Sequence, residues 1–267
     1  MYKISFVSAN LVAREVGYSM GLGWKQGDFA TNAYFRPIQT FEERFSLLIH
    51  EIKETGYKYI DLWSAHLNPL WFTSKHIETA RNILRKHQVE IISLAGKFGD
   101  SLEEFERVCI MANHLSVSLL GGVTPVLTTS RNEVIKLLEK YNLQLALENH
   151  PEKNPSEMIE EIGDTRGRFI GTTIDTGWYA THNFNVPQAI RVLGNSIFHV
   201  HLKDILVIGE HKTCKFGNGV VPMSECLEAL LSIGYKGTLS IEHEPETYNP
   251  LPECKYNLTW LENHLKN

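Results

Sequence analysis

Four polar residues stand where four successive β-rich stretches of the sequence end. They are Glu148, Asp175, His201 and Glu242. Carboxylates that converge repel one another unless a positive charge neutralises them, and three oxygen donors with one imidazole suit a divalent cation. Mn²⁺, Mg²⁺ and Co²⁺ fit this donor set and Zn²⁺ is a further candidate, whereas the lack of cysteine at any strand end argues against a thiolate site.

Each of these residues has an ordinary structural explanation when it is taken alone. A strand-end carboxylate is usually a helix cap or an ion-pair partner, and a single histidine is usually a packed core residue. Four such residues at four consecutive strand ends favour a shared site instead. The sequence therefore predicts that one divalent metal ion is bound by Glu148, Asp175, His201 and Glu242.

The stretch IFHVHLKD, residues 197–204, carries two histidines at the spacing of a β-strand. Side chains alternate along a strand, so His199 and His201 point to one side while Phe198, Val200 and Leu202 point to the other. We expect both imidazoles to face a barrel interior, with His201 at the mouth as a ligand. His199 is expected deeper, as a packed and hydrogen-bonded support.

Other polar side chains follow the same predicted strands. Candidate contacts for substrate oxygens are His66, Lys97, His150, Lys203 and Glu244. Glu244 shares the strand parity of Glu242, which makes it either an alternative ligand or a partner that orients one. Lysine at a loop position is most often simply solvated, so Lys203 carries that alternative as well.

The elements that must position these residues alternate regularly along the chain. Strands are predicted at residues 2–9, 57–63, 89–96, 116–122, 143–149, 168–176, 197–204 and 238–244, and helices at 40–56, 74–87, 101–114, 130–141, 154–163, 186–194, 222–234 and 256–266. Eight strand–helix units in about 250 residues are typical of a single (β/α)8 TIM barrel, whose active site lies at the carboxyl ends of the strands. The rival is a doubly wound open sheet, but the GxG in MGLGWKQG lacks the next glycine of a dinucleotide fingerprint.

Composition limits the classes of partner. The chain has 267 residues, 43% of them hydrophobic, with a net charge of -5, and we expect one domain over residues 1–267. The negative charge argues against nucleic-acid binding, and neither an apolar run of membrane-spanning length nor a signal peptide is evident. The four cysteines are widely separated, which fits reduced thiols in the cytoplasm. We therefore expect a cytoplasmic protein that acts on a small molecule, with a homo-oligomer compatible with the sequence.

Two segments are long enough to cover a barrel mouth. Residues 10–39 contain Tyr18, Trp24, Tyr34, Phe35 and Arg36, which suits either an aromatic lid or a packed structural extension. Residues 205–221 contain His211, Lys212 and Lys215. These side chains could meet a phosphate, although loop lysines usually serve solubility.

Several sequence blocks resemble one family of barrels. IDLW, LENH, IDTGW, HVHLKD, FGNGVVPMSE and GYKGTLSIEHE, in this order from Tyr57 onward, resemble the sugar phosphate isomerase/epimerase superfamily, the xylose-isomerase-like TIM barrels. The resemblance implies the same four ligands of one divalent metal. The chain departs from the pattern at Trp178, where many epimerases have a histidine, and we expect Trp178 to contact substrate.

The expected activity is isomerisation or epimerisation of a sugar or sugar phosphate through proton transfer at a metal-bound enediolate. The resemblance implies that Glu148 and Glu242 would take and return the proton on opposite faces of the substrate carbon. The alternative is a dehydratase of the inosose or dehydroshikimate type on the same site. A DNA-repair endonuclease is disfavoured by the negative charge, and a sugar-binding barrel without activity is the remaining reading.

Overall fold

A computed structural model describes residues 2–164 and 168–266, and it contains a closed barrel of eight parallel strands. The barrel strands are β1 (Ile4–Val7), β2 (Tyr59–Trp63), β3 (Glu90–Lys97), β4 (Leu119–Val123), β5 (Gln144–Glu148), β6 (Ile170–Asp175), β7 (Ile197–Leu202) and β10 (Leu239–Ile241). Strand β10 closes the barrel by pairing with both β1 and β7. The predicted TIM barrel is confirmed, and the open-sheet alternative is excluded.

Helices connect the strands along the outside of the barrel. They are α1 (Trp24–Phe35), α2 (Ile38–Glu54), α3 (Ser74–His87), α4 (Leu102–Leu115), α5 (Val126–Tyr141), α6 (Pro155–Ile162), α7 (Thr176–Thr181), α8 (Val186–Leu193), α9 (Met223–Ser232) and α10 (Leu251–His264). All eight predicted helices are present, most within two residues of the expected ends. Helix α5 starts four residues early, before a kink at Ser130, and α10 starts five residues early, with Pro252 in its first turn.

Two helices and a hairpin were not predicted. Helix α1 contains Gly27, a poor helix former, because the helix packs against the preceding turn there: a Cβ atom on Gly27 would lie 2.3 Å from the carbonyl oxygen of Val12. Helix α7 has only six residues, too few for a periodic pattern. Strands β8 (Asp204–Ile205) and β9 (Thr213–Cys214) form a small antiparallel pair after β7.

The barrel has an apolar outer layer and a polar interior. Side chains such as Leu147, Ile174, Val200 and Ile241 are buried in the hydrophobic core. Inward residues of the same strands are small or polar, among them Ser5, Ser93, Thr173 and Ser240, all of which are buried. Strand alternation therefore sends the polar set toward the barrel axis.

The segment 10–39 combines both of its expected roles. Trp24, at the start of α1, lines the cavity at the barrel mouth. Phe35, at the end of the same helix, is fully buried in the core. The segment is thus mainly a packed extension that contributes one aromatic side chain to the mouth.

Among residues 2–164 and 168–266, no helix is both long enough and apolar enough to cross a membrane.

Candidate active site

Strand register brings the predicted ligands to one end of the barrel. Asp175 pairs in register with His201, and His201 pairs with Ser240, two residues before Glu242. Glu148 is the last residue of β5. Glu242 lies one residue beyond β10, where its amide still donates to the carbonyl of Leu202 at 3.0 Å.

His201 lies between two carboxylates. Its Nδ1 is 2.6 Å from Oε1 of Glu148 and 3.0 Å from Oε2 of Glu242. Burial alone would lower the pKa of His201, but the charges of Glu148 and Glu242 outweigh burial and raise the pKa well above its usual value. These three side chains form the floor of the site.

Asp175 is held in a different way from the other three. Its Oδ1 accepts hydrogen bonds from the amides of Gly177 and Trp178, at 2.7 and 3.2 Å, and so caps helix α7. Its Oδ2 lies 2.9 Å from Nζ of Lys203. Asp175 therefore fills both of the ordinary roles of a strand-end carboxylate, cap and ion-pair partner, beside the His201 cluster.

Lys203 is a buried cation at the centre of the site, where the sequence predicted a substrate contact. Its Nζ lies 2.9 Å from Asp175, 3.1 Å from Glu242 and 3.5 Å from Glu244, and its side chain is 2% exposed. The aliphatic stem passes over Gly177, where a Cβ atom would lie 2.8 Å from the lysine Cγ and Cδ. Gly177 thus makes room for Lys203.

The charges of the cluster shift its pKa values in opposite directions. Burial raises the pKa of Asp175 to about 6 and that of Glu244 to about 8. The charges of Glu242 and Glu148 also raise both pKa values, whereas the charge of Lys203 lowers them. Burial would also raise the pKa of Glu242, but Lys203 and His201 outweigh it and hold that pKa well below its usual range. Glu242 and Glu244, which both contact Lys203, are therefore ionised to different extents near neutral pH.

A second polar network lies one layer deeper in the barrel. His199 Nε2 is 2.7 Å from Oδ1 of Asp61 and 3.1 Å from the hydroxyl of Ser240. The hydroxyls of Ser5 and Ser93 donate to the two oxygens of Asp61. The side chains of His199 and Asp61 are fully buried, so the position of His199 agrees with its predicted role as a support.

Asp61 was not singled out from the sequence. It lies in the middle of β2, where a strand-end criterion does not look, and a register irregularity falls between Ile60 and Asp61. Donor atoms of Asp61, His199 and His201 also lie within 4.8 Å of one another. Because both oxygens of Asp61 already accept hydrogen bonds, we interpret this group as a support for the site and not as a second ion site.

The predicted substrate contacts are divided between the cavity and the core. A cavity of about 940 Å³ opens above the cluster, and its walls include Lys97, His150, Trp178, Lys203 and Glu244. His66 is absent from these walls. It is buried, its Nδ1 lies within hydrogen-bond distance of the Ser8 hydroxyl at 3.0 Å, and it packs edge-on against Phe35 and Trp63. The structure thus corrects the expectation for His66, because its ring fills core space under the first loop.

The loop after β7 contributes a residue that the sequence flagged only as a candidate for phosphate. The ring of His211 stacks on Trp178 at 3.7 Å, and its Nε2 lies 3.3 Å from Nζ of Lys203. Thr181 donates its hydroxyl hydrogen to Gly177, so Nδ1 of His211 donates to Thr181 and Nε2 accepts from Lys203. Burial and the Lys203 charge lower the pKa of His211 to about 2. Lys215, by contrast, lies over the ring of Tyr256.

The donor set at the barrel mouth fits a divalent cation. Donor atoms of Glu148, His201 and Glu242 lie within 4.8 Å of one another, and Asp175 stands beside them. Three buried carboxylates, those of Glu148, Asp175 and Glu242, face two buried bases, His201 and Lys203, so negative groups outnumber the cations that neutralise them. Oxygen and imidazole ligands of this kind suit Mg²⁺, Mn²⁺, Co²⁺ or Zn²⁺.

A family model described as the xylose isomerase-like TIM barrel matches residues 49–264. The chain belongs to this family. Solved barrels of similar structure include the IolI protein with a bound zinc atom, at a TM-score of 0.71 and 17% identity, with 98% of this chain and 97% of that chain covered. This likeness extends to the fold of the whole chain.

Two further solved structures have the same fold. A D-tagatose 3-epimerase-like protein matches with a TM-score of 0.69 and 18% identity, covering 99% of this chain and 97% of that one. The probable 3-DHS dehydratase AsbF of Bacillus anthracis matches with a TM-score of 0.69 and 16% identity, covering 98% and 99%. Solved structures with this fold thus include an epimerase-like protein and a probable dehydratase.

Among curated proteins, the uncharacterized protein MJ1311 of Methanocaldococcus jannaschii is 29% identical over 121 residues. The match covers 42% of this chain and 41% of that protein. The chain thus spans less than half the length of this relative.

Proposed function

We propose that the protein is a metal-dependent enzyme that moves a proton at a carbon next to the carbonyl of a sugar or polyol, as an isomerase or epimerase. The observation that carries this proposal is the convergence of Glu148 and Glu242 on Nδ1 of His201, at 2.6 and 3.0 Å. Two carboxylates from β5 and from the end of β10, strands that β6 and β7 separate, thereby reach one point at the floor of the cavity.

The ion would be held by Glu148, Asp175, His201 and Glu242. When a divalent ion is held there, the chemistry that it supplies is polarisation of a substrate carbonyl, which acidifies the neighbouring C–H. Coordination by Asp175 would compete with its contact to Lys203. Glu244 and His211 already contact the Lys203 ammonium, at 3.5 and 3.3 Å, and would continue to hold it.

The chain's own residues would handle the proton. Lys203 and His201 keep the pKa of Glu242 low in spite of burial, so Glu242 is ionised near neutral pH, which is the state that a general base must start from. Burial raises the pKa of Glu148 too, but the charges of His150 and His201 lower it below its usual value. A carboxylate on each side of the substrate carbon is the arrangement that an epimerase requires.

A dehydratase is the second candidate, and Glu244 is the observation in its favour. Loss of a hydroxyl as water requires an acid that still carries its proton at neutral pH. Burial raises the pKa of Glu244 to about 8, and its side chain lies on the cavity wall. Glu244 could then protonate a leaving hydroxyl after Glu148 or Glu242 removes the neighbouring C–H proton.

The experiment that tests the proposal is hydrogen exchange in D₂O. The protein with Mn²⁺ is incubated with a panel of ketoses and inososes, and deuterium at the carbon beside the carbonyl is read by NMR. Deuterium in a recovered or epimeric sugar supports the isomerase or epimerase, and an unsaturated product supports the dehydratase. Absence of exchange in every compound would contradict both.

A further inference from the structure

Backbone amides in the loop after β7 are hydrogen-bonded to a side chain of the protein itself. The amides of Gly217, Gly219 and Val221 donate to the carboxylate of Asp204 at 3.0 to 3.1 Å. Asp204 is fully buried, and a Cβ atom on Gly219 would lie 2.2 Å from its Oδ1. Barrel enzymes that act on phosphate esters frequently bind the phosphate with amides of the loops after the seventh and eighth strands. Here an internal carboxylate occupies three amides of the first of these loops.

The helix nearest to the cluster offers no anion site either. The amides of Gly177 and Trp178 at the start of α7 are taken by Oδ1 of Asp175. Free amides at a helix start attract anions, but amides that are already capped by a carboxylate do not.

The cationic side chains on the cavity walls are all paired with acids. Among the described residues that line the cavity there is no arginine, and the lysines are Lys97, Lys203 and Lys212. Lys203 lies among buried carboxylates, Lys97 is 2.5 Å from Asp100, and Lys212 is 2.9 Å from Glu210. Five glutamates line the same cavity: Glu148, Glu210, Glu242, Glu244 and Glu246. Apart from the divalent ion itself, a phosphate or carboxylate in this cavity would meet more negative groups than unpaired positive ones.

The remaining walls suit an uncharged sugar. Trp24 and Trp63 line the cavity and meet edge to face at 5.1 Å. Trp178 lines it too, with the ring of His211 stacked on it. Flat aromatic faces pack against the C–H groups of a sugar ring, and carboxylates accept hydrogen bonds from its hydroxyls.

We infer that the substrate is an uncharged sugar or polyol that carries neither a phosphate nor a carboxylate group. The inference rests on the proposed function and narrows it. The inference favours free ketoses and inososes as substrates over sugar phosphates and over acids such as dehydroshikimate.

The test compares neutral and anionic compounds on the full chain with Mn²⁺. The neutral compounds are D-fructose and scyllo-inosose, and the anionic ones are D-fructose 6-phosphate and 3-dehydroshikimate. Calorimetry gives the affinity of each compound, and NMR in D₂O gives the exchange of the proton beside each carbonyl. We expect at least one neutral compound to bind ten times more tightly, or more, than either anion, and to exchange.

The two readouts separate failure of this inference from failure of the proposed function. Exchange confined to an anionic compound would overturn the inference while supporting the function. Absence of exchange in all four compounds would contradict the function, and the affinities would then decide the inference. Equal or tighter binding of an anion, or binding of none of the four, would overturn it.

A matched pair of variants tests the aromatic contact. Trp24 and Phe29 both belong to α1 and are both substantially exposed, but only Trp24 lines the cavity. Trp24→Ala is expected to weaken binding of the neutral compound on the order of tenfold, and Phe29→Ala to leave it unchanged. Equal affinities in the two variants would show that Trp24 does not contribute to binding of the neutral compound.

Discussion

The ammonium of Lys203 lies 2.9 Å from Oδ2 of Asp175, so a carboxylate predicted to hold a metal ion is paired with a lysine of the same chain. Both side chains are fully buried, and Glu242 shares the lysine at 3.1 Å. This ion pair balances part of the negative charge at the barrel mouth. It also means that a metal ion and Lys203 would compete for the same carboxylate oxygens.

Replacement of Lys203 by methionine tests this competition. Without the ammonium, Asp175 and Glu242 lose a buried partner, and we expect the free energy of unfolding in EDTA to fall by about 3 to 5 kcal/mol. Added Mn²⁺ should then stabilise the variant more than it stabilises the wild type, as measured by thermal melts.

Lys212→Met is the control for that measurement, because Lys212 lies on the same loop but is exposed and paired only with Glu210. It should melt like the wild type. If Lys203→Met is as stable as Lys212→Met in EDTA, the buried ion pair contributes nothing to the fold.

Replacement of Glu242 by glutamine separates metal binding from proton transfer. An amide oxygen can still coordinate, so much of the metal affinity should remain, whereas the rate of hydrogen exchange should fall by a factor on the order of 10² to 10⁴. Exchange is measured by NMR in D₂O. Glu225→Gln, at the exposed start of α9 and outside the cavity lining, is the control and should keep the wild-type rate. Wild-type exchange in Glu242→Gln would point to Glu244 as the base.

The two histidines of β7 should differ when each is replaced by alanine. His201→Ala removes the group between Glu148 and Glu242 and should abolish metal binding; the chain should still fold, with some loss of stability because the two carboxylates lose a partner. His199→Ala leaves the carboxylate of Asp61 buried without its imidazole partner, and should cost about 3 to 5 kcal/mol of stability. Calorimetric metal titrations and thermal melts measure both effects. Loss of metal binding only in the His199 variant would contradict these roles.

Acid should destabilise the protein partly through His66. Burial, and to a smaller extent Arg14, lowers the pKa of His66 well below its usual value, so the unfolded chain binds a proton that the folded chain does not. This contribution to stability is present above the unfolded pKa of about 6.5 and is lost as pH falls. The stability lost by pH 5 amounts to about 2 kcal/mol. Urea unfolding at pH 5 to 8 should show a shallower pH dependence in His66→Gln. An identical dependence would contradict the burial argument.

Much of the barrel could be predicted because strand and helix periodicities are strong. Alternation in β7 alone placed His199 and His201 inside and ordered them by depth. The same alternation sends Lys203 inward, since it lies two residues after His201, yet a lysine at a loop start reads as solvated. Its burial depends on acids from other strands, Asp175, Glu242 and Glu244, whose distances only the closed barrel sets.

Other features depend on contacts that no local pattern encodes. Asp61 is buried in mid-strand and acquires its partners from β1, β3 and β7, far apart in the sequence. His66 follows a strand end, as the other predicted contacts do, but its ring packs against Phe35 at the end of α1. Both outcomes follow from packing between distant segments.

The most direct test of the proposed metal centre is a crystal structure of the protein grown with Mn²⁺, with anomalous scattering measured at the manganese edge. A single peak is expected about 2.0 to 2.4 Å from side-chain oxygens of Glu148, Asp175 and Glu242 and from a nitrogen of His201. Lys203 should then contact Glu244 without Asp175. A peak on Asp61 and His199, or an absence of any peak with Lys203 still 2.9 Å from Asp175, would contradict the assignment of the four ligands.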